Sequence, residues 1–188
     1  MNTDFKELLK TFNEHGVKYL VVGGYAVMKH SEPRFTKDLD VWVEASLDNA
    51  EKVFQSLQSF GAPLSNLTVA DFAEDGFYQM GRPPARIDIL MGLTGLDFKS
   101  AWNNRVEGNY GEVKTQFLSI DDLIINKREA GRPQDLIDVE NLQLAQKRNL
   151  AKEQAVSPQP ELRPESASKP AQEKVLGHER DKGSDFER

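Results

Sequence analysis

The sequence predicts an α/β (α+β) fold: a β-sheet flanked by helices, two C-terminal helices, and a disordered C-terminal tail. Three observations predict it. The apolar run Tyr19-Leu20-Val21-Val22 stops abruptly at Gly23-Gly24, as a buried strand does at a sharp turn. Residues 38–43 and 86–90 alternate apolar and polar with period two, the mark of half-buried strands. Around these segments, apolar residues recur at helical spacing.

The elements follow in order. Phe5, Leu8, Leu9 and Phe12 mark a helix over residues 3–15, with Thr3 as its N-cap and Gly16 after its end. His15 fits there as a partner for the helix dipole. The strand 19–22 and a short helix over 25–30 come next, then the strand 38–43. Val53, Phe54, Leu57 and Phe60 line a helix over 47–60 that Gly61 closes. Residues 76–81 and 85–90 form two strands separated by Arg82-Pro83-Pro84, a turn. A short helix covers 96–102. A hairpin covers 105–118, with Glu107-Gly108-Asn109-Tyr110-Gly111 as its turn. Ser119 opens a helix over 120–130, and Pro133 fits the first turn of a last helix reaching about residue 148. These elements make one domain over residues 1–148. Residues 151–188 are rich in Pro, Glu, Lys, Gln and Ser and poor in large apolar side chains, the composition of a disordered polar tail.

Composition narrows the function classes. A chain of 188 residues is long enough for one domain with a real core. It has no cysteine, which excludes disulfides and thiolate metal sites and fits a reducing, cytoplasmic compartment. No apolar run approaches the ~20 residues of a membrane span, and the amphipathic N-terminus does not resemble a signal peptide. The net charge of −6 argues against broad non-specific binding of nucleic acid.

The chemistry gathers in residues 21–43. Asp38 and Asp40 stand two apart in a strand, so both carboxylates share one face, with Leu39, Val41 and Val43 on the other. Neighbouring carboxylates repel unless a cation sits between them. A hard divalent ion such as Mg²⁺, completed by phosphate oxygens, is the natural occupant. Gly23-Gly24 lets the backbone turn sharply and approach a ligand, and the N–H groups of the helix start can hold a phosphate. Asp88 is an acid in a third strand, facing the same way as Arg86 and Leu90. It suits either a salt bridge to Arg86 or a third carboxylate for a two-metal site.

Gly23-Gly24, thirteen residues, then Asp38-Leu39-Asp40-Val41 resembles the signature of the nucleotidyltransferase superfamily, the fold of DNA polymerase beta. Asp88 in Arg86-Ile87-Asp88-Ile89 matches its third acidic strand. Lys127, followed by Arg132-x-x-Asp135-x-x-Asp138, is similar to a motif of the abortive-infection nucleotidyltransferase toxins and their uncharacterised bacterial relatives. The resemblance covers roughly residues 1–148 and implies a mixed sheet.

It also implies a reaction: transfer of a nucleoside monophosphate from an NTP, such as ATP, to an acceptor hydroxyl, with release of pyrophosphate. Asp38, Asp40 and Asp88 would bind two Mg²⁺ ions, and Asp88 would favour deprotonation of the acceptor. Gly23 and Gly24 would meet the triphosphate, and Lys127 would neutralise its charge. Arg34 and Thr36 stand beside the Asp pair and are candidates for phosphate contact, with a surface ion pair as the other reading of Arg34. Asp135 and Asp138 share a helix face. They align Lys127 or Arg132, or simply complement the helix N-terminus. The acceptor is a tRNA or other RNA, a protein or a small molecule, and a cognate antitoxin is a further expected partner. The alternative is a binding or antitoxin-like protein that keeps the fold with little activity.

Overall fold

The computed structural model describes residues 2–156. The sequence elements form α1 (Thr3–Glu14), β1 (Tyr19–Val21), α2 (Gly23–His30), β2 (Asp38–Val43), α3 (Leu47–Phe60), β3 (Phe77–Met80), β4 (Arg86–Leu90), α4 (Phe98–Asn104), β5 (Val106–Tyr110), β6 (Val113–Phe117), α5 (Ile120–Ala130) and α6 (Pro133–Val156). The strands form one mixed sheet in the order β3-β4-β2-β1-β6-β5. β1 pairs antiparallel with β2 and parallel with β6, and β2 pairs parallel with β4. The outer pairs β3–β4 and β5–β6 are antiparallel.

The apolar face of β2 is fully buried: Leu39, Val41 and Val43 join Phe5, Leu8, Leu9 and Phe12 of α1 and Val53 and Leu57 of α3 in one hydrophobic core. Each such side chain contributes about 1.5–3 kcal/mol relative to exposure. The face carrying Asp38 and Asp40 is therefore the one left for polar work. Helix α2 packs on β2 and touches α5 and α6, which pack on each other.

Three local expectations are corrected. Asn2, not Thr3, caps α1, because its side chain accepts from the Asp4 N–H. The β5–β6 turn is tighter than residues 107–111: Tyr110 pairs with Val113, so only Gly111 and Glu112 remain between the strands. Gly111, at φ 62°, supplies the left-handed residue that a two-residue hairpin requires. Finally, α6 runs past residue 148 to Val156, so residues 151–156 of the supposed tail are helical. The rest of the tail lies outside the described residues. A short 3₁₀ turn at Val69–Phe72, absent from the sequence reading, buries Phe72. Among the described residues, no helix is long and apolar enough to cross a membrane.

Helix α5 starts as the sequence indicates. Ser119 Oγ accepts from the Asp122 N–H and donates to Asp122 Oδ2 at 2.7 Å. Ser119→Ala is expected to lower stability by about 1 kcal/mol, measured as a lower urea midpoint at unchanged m-value. An unchanged midpoint would show that water replaces the cap at no cost.

Candidate active site

The parallel register of β2 and β4 builds the acidic centre. Asp38 lies opposite Arg86 and Asp40 opposite Asp88, and the strand period puts all four side chains on one face. Like charges directly opposite each other destabilise a sheet, so compensation is required. Arg86 supplies it: its Nη2 lies 2.6 Å from Asp38 Oδ2 and 3.3 Å from Asp88 Oδ2. Gln79, opposite Asp88 on β3, donates from Nε2 to Asp88 Oδ1 at 2.9 Å.

Asp40 has no such partner among the described residues. Burial, and then the charges of Asp88 and Asp38, push its pKa up to about 6, against the milder opposing pull of Lys127 and Arg86. Its carboxylate lies so close to Gly23 that a Cβ at that position would overlap it. Gly23 also has φ 57°, which glycine adopts without the penalty other residues incur. Gly24 is similarly pinched, since a Cβ there would lie 2.7 Å from Thr36 Oγ1 and 3.0 Å from Arg34 Nη2. Both glycines are therefore required by close packing of the α2 N-terminus onto the acidic strand. The backbone N–H groups of that first turn have no intrahelical acceptor.

The opposite wall comes from α5, α6 and the segment before β2. Lys127 Nζ lies 2.6 Å from Asp135 Oδ1 and 3.1 Å from Asp138 Oδ2. Asp138 is completely buried and also receives Arg34, whose Nε is 3.0 Å from Oδ1 and whose Nη2 is 3.2 Å from Oδ2. Arg34 is thus paired internally rather than at the surface. Both acids of the C-terminal motif bind Lys127. Arg132 is on the rim, with a side chain 82% exposed and its Nε 3.9 Å from Asp135 Oδ2. Thr36 Oγ1 donates weakly to the Asp38 carbonyl at 3.4 Å.

These groups surround a cavity of about 470 Å³. Gly23, Gly24, Arg34, Thr36, Asp38, Asp40, Asp88, Lys127, Arg132 and Asp135 all line it, whereas Asp138 lies behind the wall. Sequence reasoning missed Gln79 and the segment Gly92-Leu93-Thr94, which also line or support the site. Gln79 becomes visible only when residues 77–80 are paired back across the turn onto 86–90. Thr94 is fixed because Asn126 Nδ2 donates to its carbonyl at 3.0 Å.

The fit to a divalent cation rests on oxygen chemistry. Asp38 Oδ1 is buried with no hydrogen-bond partner, and Asp40 resists ionisation because it is buried and two acids face it. Both conditions are relieved by a hard cation bound to carboxylate oxygens. The centre as it stands is not a finished metal cage: among the described residues, no three acid or histidine side chains are gathered to hold an ion. Arg86 fills the gap between Asp38 and Asp88 and must yield it. The residues fit Mg²⁺ on that condition.

Three solved structures are similar to this chain. A lincosamide antibiotic adenylyltransferase, LnuA, solved with lincomycin, is 17% identical over 76% of this chain and 96% of its own, with a TM-score of 0.48. ANT(2")-Ia, in complex with adenylyl-2"-tobramycin, is 16% identical over 81% of this chain and 91% of its own, with a TM-score of 0.49. An antigenic nucleotidyltransferase-like protein from Paracoccidioides brasiliensis is 18% identical over 80% of this chain and 87% of its own, with a TM-score of 0.42. No curated protein matches the sequence significantly. The family described as "Nucleotidyltransferase of unknown function (DUF6036)" matches residues 2–161, and the chain belongs to that nucleotidyltransferase family.

Proposed function

We propose that the protein transfers a nucleoside monophosphate from an NTP to an acceptor hydroxyl. The bond from the acceptor oxygen to the α-phosphorus forms, the bond from that phosphorus to the β-phosphate oxygen breaks, and pyrophosphate leaves. The observation that carries this reading is the in-register pairing of Asp40 with Asp88 beside Asp38, facing the glycine-built start of α2. Asp38, Asp40 and Asp88 would hold two Mg²⁺ ions, which when bound neutralise charge on the phosphates and lower the pKa of the attacking hydroxyl. Asp88, steadied by Gln79, takes the hydroxyl proton. The free N–H groups at Gly23 and Gly24 bind phosphate oxygens. Lys127 adds a fixed positive charge on the far wall, held in place by Asp135 and Asp138, and Arg132 reaches in from the rim.

Arg86 is the one feature that favours the alternative, a binding protein of this fold with little activity, because it occupies the space between Asp38 and Asp88. The two readings differ in one experiment. The full chain is incubated with each α-³²P-labelled NTP and Mg²⁺, with total cellular RNA, total protein or a pool of small hydroxyl-bearing metabolites as acceptor. Label transfer by the wild type, abolished by EDTA, supports the enzyme. Absence of transfer, together with no Mg²⁺-dependent NTP binding by calorimetry, would sink it. Transfer to RNA or protein would also support a toxin role of the kind suggested by the Lys127…Asp138 motif, and transfer to a small molecule would argue against one.

A further inference from the structure

Two arginines of the site hold carboxylates in different ways. Arg34 grips Asp138 with two nitrogens, Nε at 3.0 Å from Oδ1 and Nη2 at 3.2 Å from Oδ2. That two-pronged contact is the strong, orienting form. Arg86 uses one nitrogen for two acids: Nη2 lies 2.6 Å from Asp38 Oδ2 and 3.3 Å from Asp88 Oδ2. Its Nε is buried without a hydrogen-bond partner. No other described residue is paired with its guanidinium. Its side chain is 33% exposed, so it has open space to move into. Arg86 is thus held where it is by the two acids alone.

The acids are not satisfied by it. One positive charge serves Asp38, Asp40 and Asp88, while Asp40 has no partner and Asp38 Oδ1 stays orphaned. A divalent ion would complete the compensation. It could not share the gap, because it and the guanidinium repel each other at contact distance. The two are alternative occupants. A bare ion would have to expel Arg86 and offer it nothing in return. A metal-bound triphosphate offers more. Arg86 lines the same cavity as Gly23, Gly24 and Lys127, and phosphate is the partner that a guanidinium fork fits.

We propose that Arg86 is the resident counter-cation of the acidic centre. It keeps a bare divalent ion out, and it yields only to one that arrives with a triphosphate, whose oxygens then take the guanidinium. This rests on the NTP-binding reading given above. By linkage, metal and nucleotide each raise the affinity for the other by the same factor, and Arg86 sets that factor. The side chain that blocks the empty site is then the one that makes loading ordered.

Binding of Mn²⁺ alone to the full chain, followed by electron paramagnetic resonance of the free ion, tests the proposal. Arg86→Gln is expected to bind Mn²⁺ about tenfold or more tightly than the wild type. Arg132→Gln removes a charge from the rim without opening the gap, and is expected to stay within about threefold of the wild type. Circular dichroism melts give a second readout. Without metal, Arg86→Gln is expected to melt below the wild type, because Asp38 and Asp88 lose their shared cation. Mn²⁺ alone should restore its melting temperature and leave that of the wild type unchanged. Calorimetry with Mn²⁺ and the α,β-methylene analogues of ATP, GTP, CTP and UTP completes the cycle: the gain in metal affinity from nucleotide should be smaller in Arg86→Gln than in the wild type. Equal Mn²⁺ binding by the wild type and Arg86→Gln overturns the inference. So does an equal gain in Arg132→Gln, or an Arg86→Gln chain that is destabilised and not rescued by Mn²⁺. In each of these cases the NTP reading survives if the wild type still binds the metal–nucleotide complex. If no chain binds that complex, both fall together.

Discussion

Lys127→Ala is expected to destabilise the protein by about 3–5 kcal/mol, because it strands two carboxylates rather than deleting one surface charge. Lys127 Nζ is the 2.6 Å partner of Asp135 and the 3.1 Å partner of Asp138. Without it, Asp138 keeps Arg34, but Asp135 keeps only Arg132, which is 3.9 Å away and largely exposed. A buried carboxylate left unpaired must either be desolvated or take up a proton, and both cost stability. The loss should appear as a lower urea midpoint. Replacing Asp135 by Asn in the same chain should recover part of it, because the amide no longer needs a counter-charge. A loss below about 1 kcal/mol for the single variant would mean that Lys127 is a solvent-screened residue and not the buried anchor of the far wall.

The second large effect has the opposite sign. Asp40→Asn is expected to stabilise the metal-free protein at pH 7 while abolishing nucleotide transfer. In the folded state the Asp40 pKa is raised from 3.8 to about 6. Between those two values, the folded chain holds a proton that the unfolded chain has released. The folded state is therefore favoured below the lower value, loses stability as pH rises through the window, and stays flat above it. The shift of about two pKa units corresponds to on the order of 2–3 kcal/mol. Asn has the same shape, fits beside Gly23, and does not ionise, so its stability profile should lack this slope. A gain of that size would raise the melting temperature of a domain this large by about 5–10 °C. Mg²⁺ with NTP should stabilise the wild type and leave the variant unaffected. Asp88→Asn is expected to differ, since Asp88 is held by Arg86 and Gln79 and its loss relieves less. The metal-site reading fails if wild type and Asp40→Asn unfold alike between pH 4 and 7, and if Mg²⁺–NTP stabilises neither.

The sequence made the acidic strands and the glycine turn legible because each is a local pattern. Asp38 and Asp40 share a face by strand geometry alone, and Gly23-Gly24 announces itself by what cannot replace it. Arg86 was visible as a neighbour of Asp88, but its place between Asp38 and Asp88 depends on the parallel pairing of β2 with β4, which residues 44–85 separate in sequence. The sequence leaves open whether Asp135 and Asp138 align Lys127 or Arg132, because that depends on how α6 folds back past the turn at Gly131. The continuation of α6 past residue 148 is hidden for a different reason. Residues 149–156 contain Ala, Lys, Glu, Gln and Leu, which favour helix, but they sit beside a Pro- and Ser-rich stretch whose composition dominates any window that includes both. The β5–β6 turn was misplaced because two glycines compete for it. Gly108 is in the strand for a packing reason, since a Cβ there would lie 2.8 Å from Lys29 and 3.0 Å from Phe117.

Asp138 joins three parts of the chain: its own helix, Lys127 on the preceding helix α5 and Arg34, distant in sequence, in the segment leading to β2. Assembly of the pocket is therefore all-or-none at this point. If α6 lifts from the body, Asp138 and Asp135 leave together, and both cations of the far wall lose their anchor at once. Amide protons of α6, α5 and residues 31–37 should accordingly exchange with solvent as one cooperative unit, and the wall opposite the acidic strands exists only while the last helix is docked.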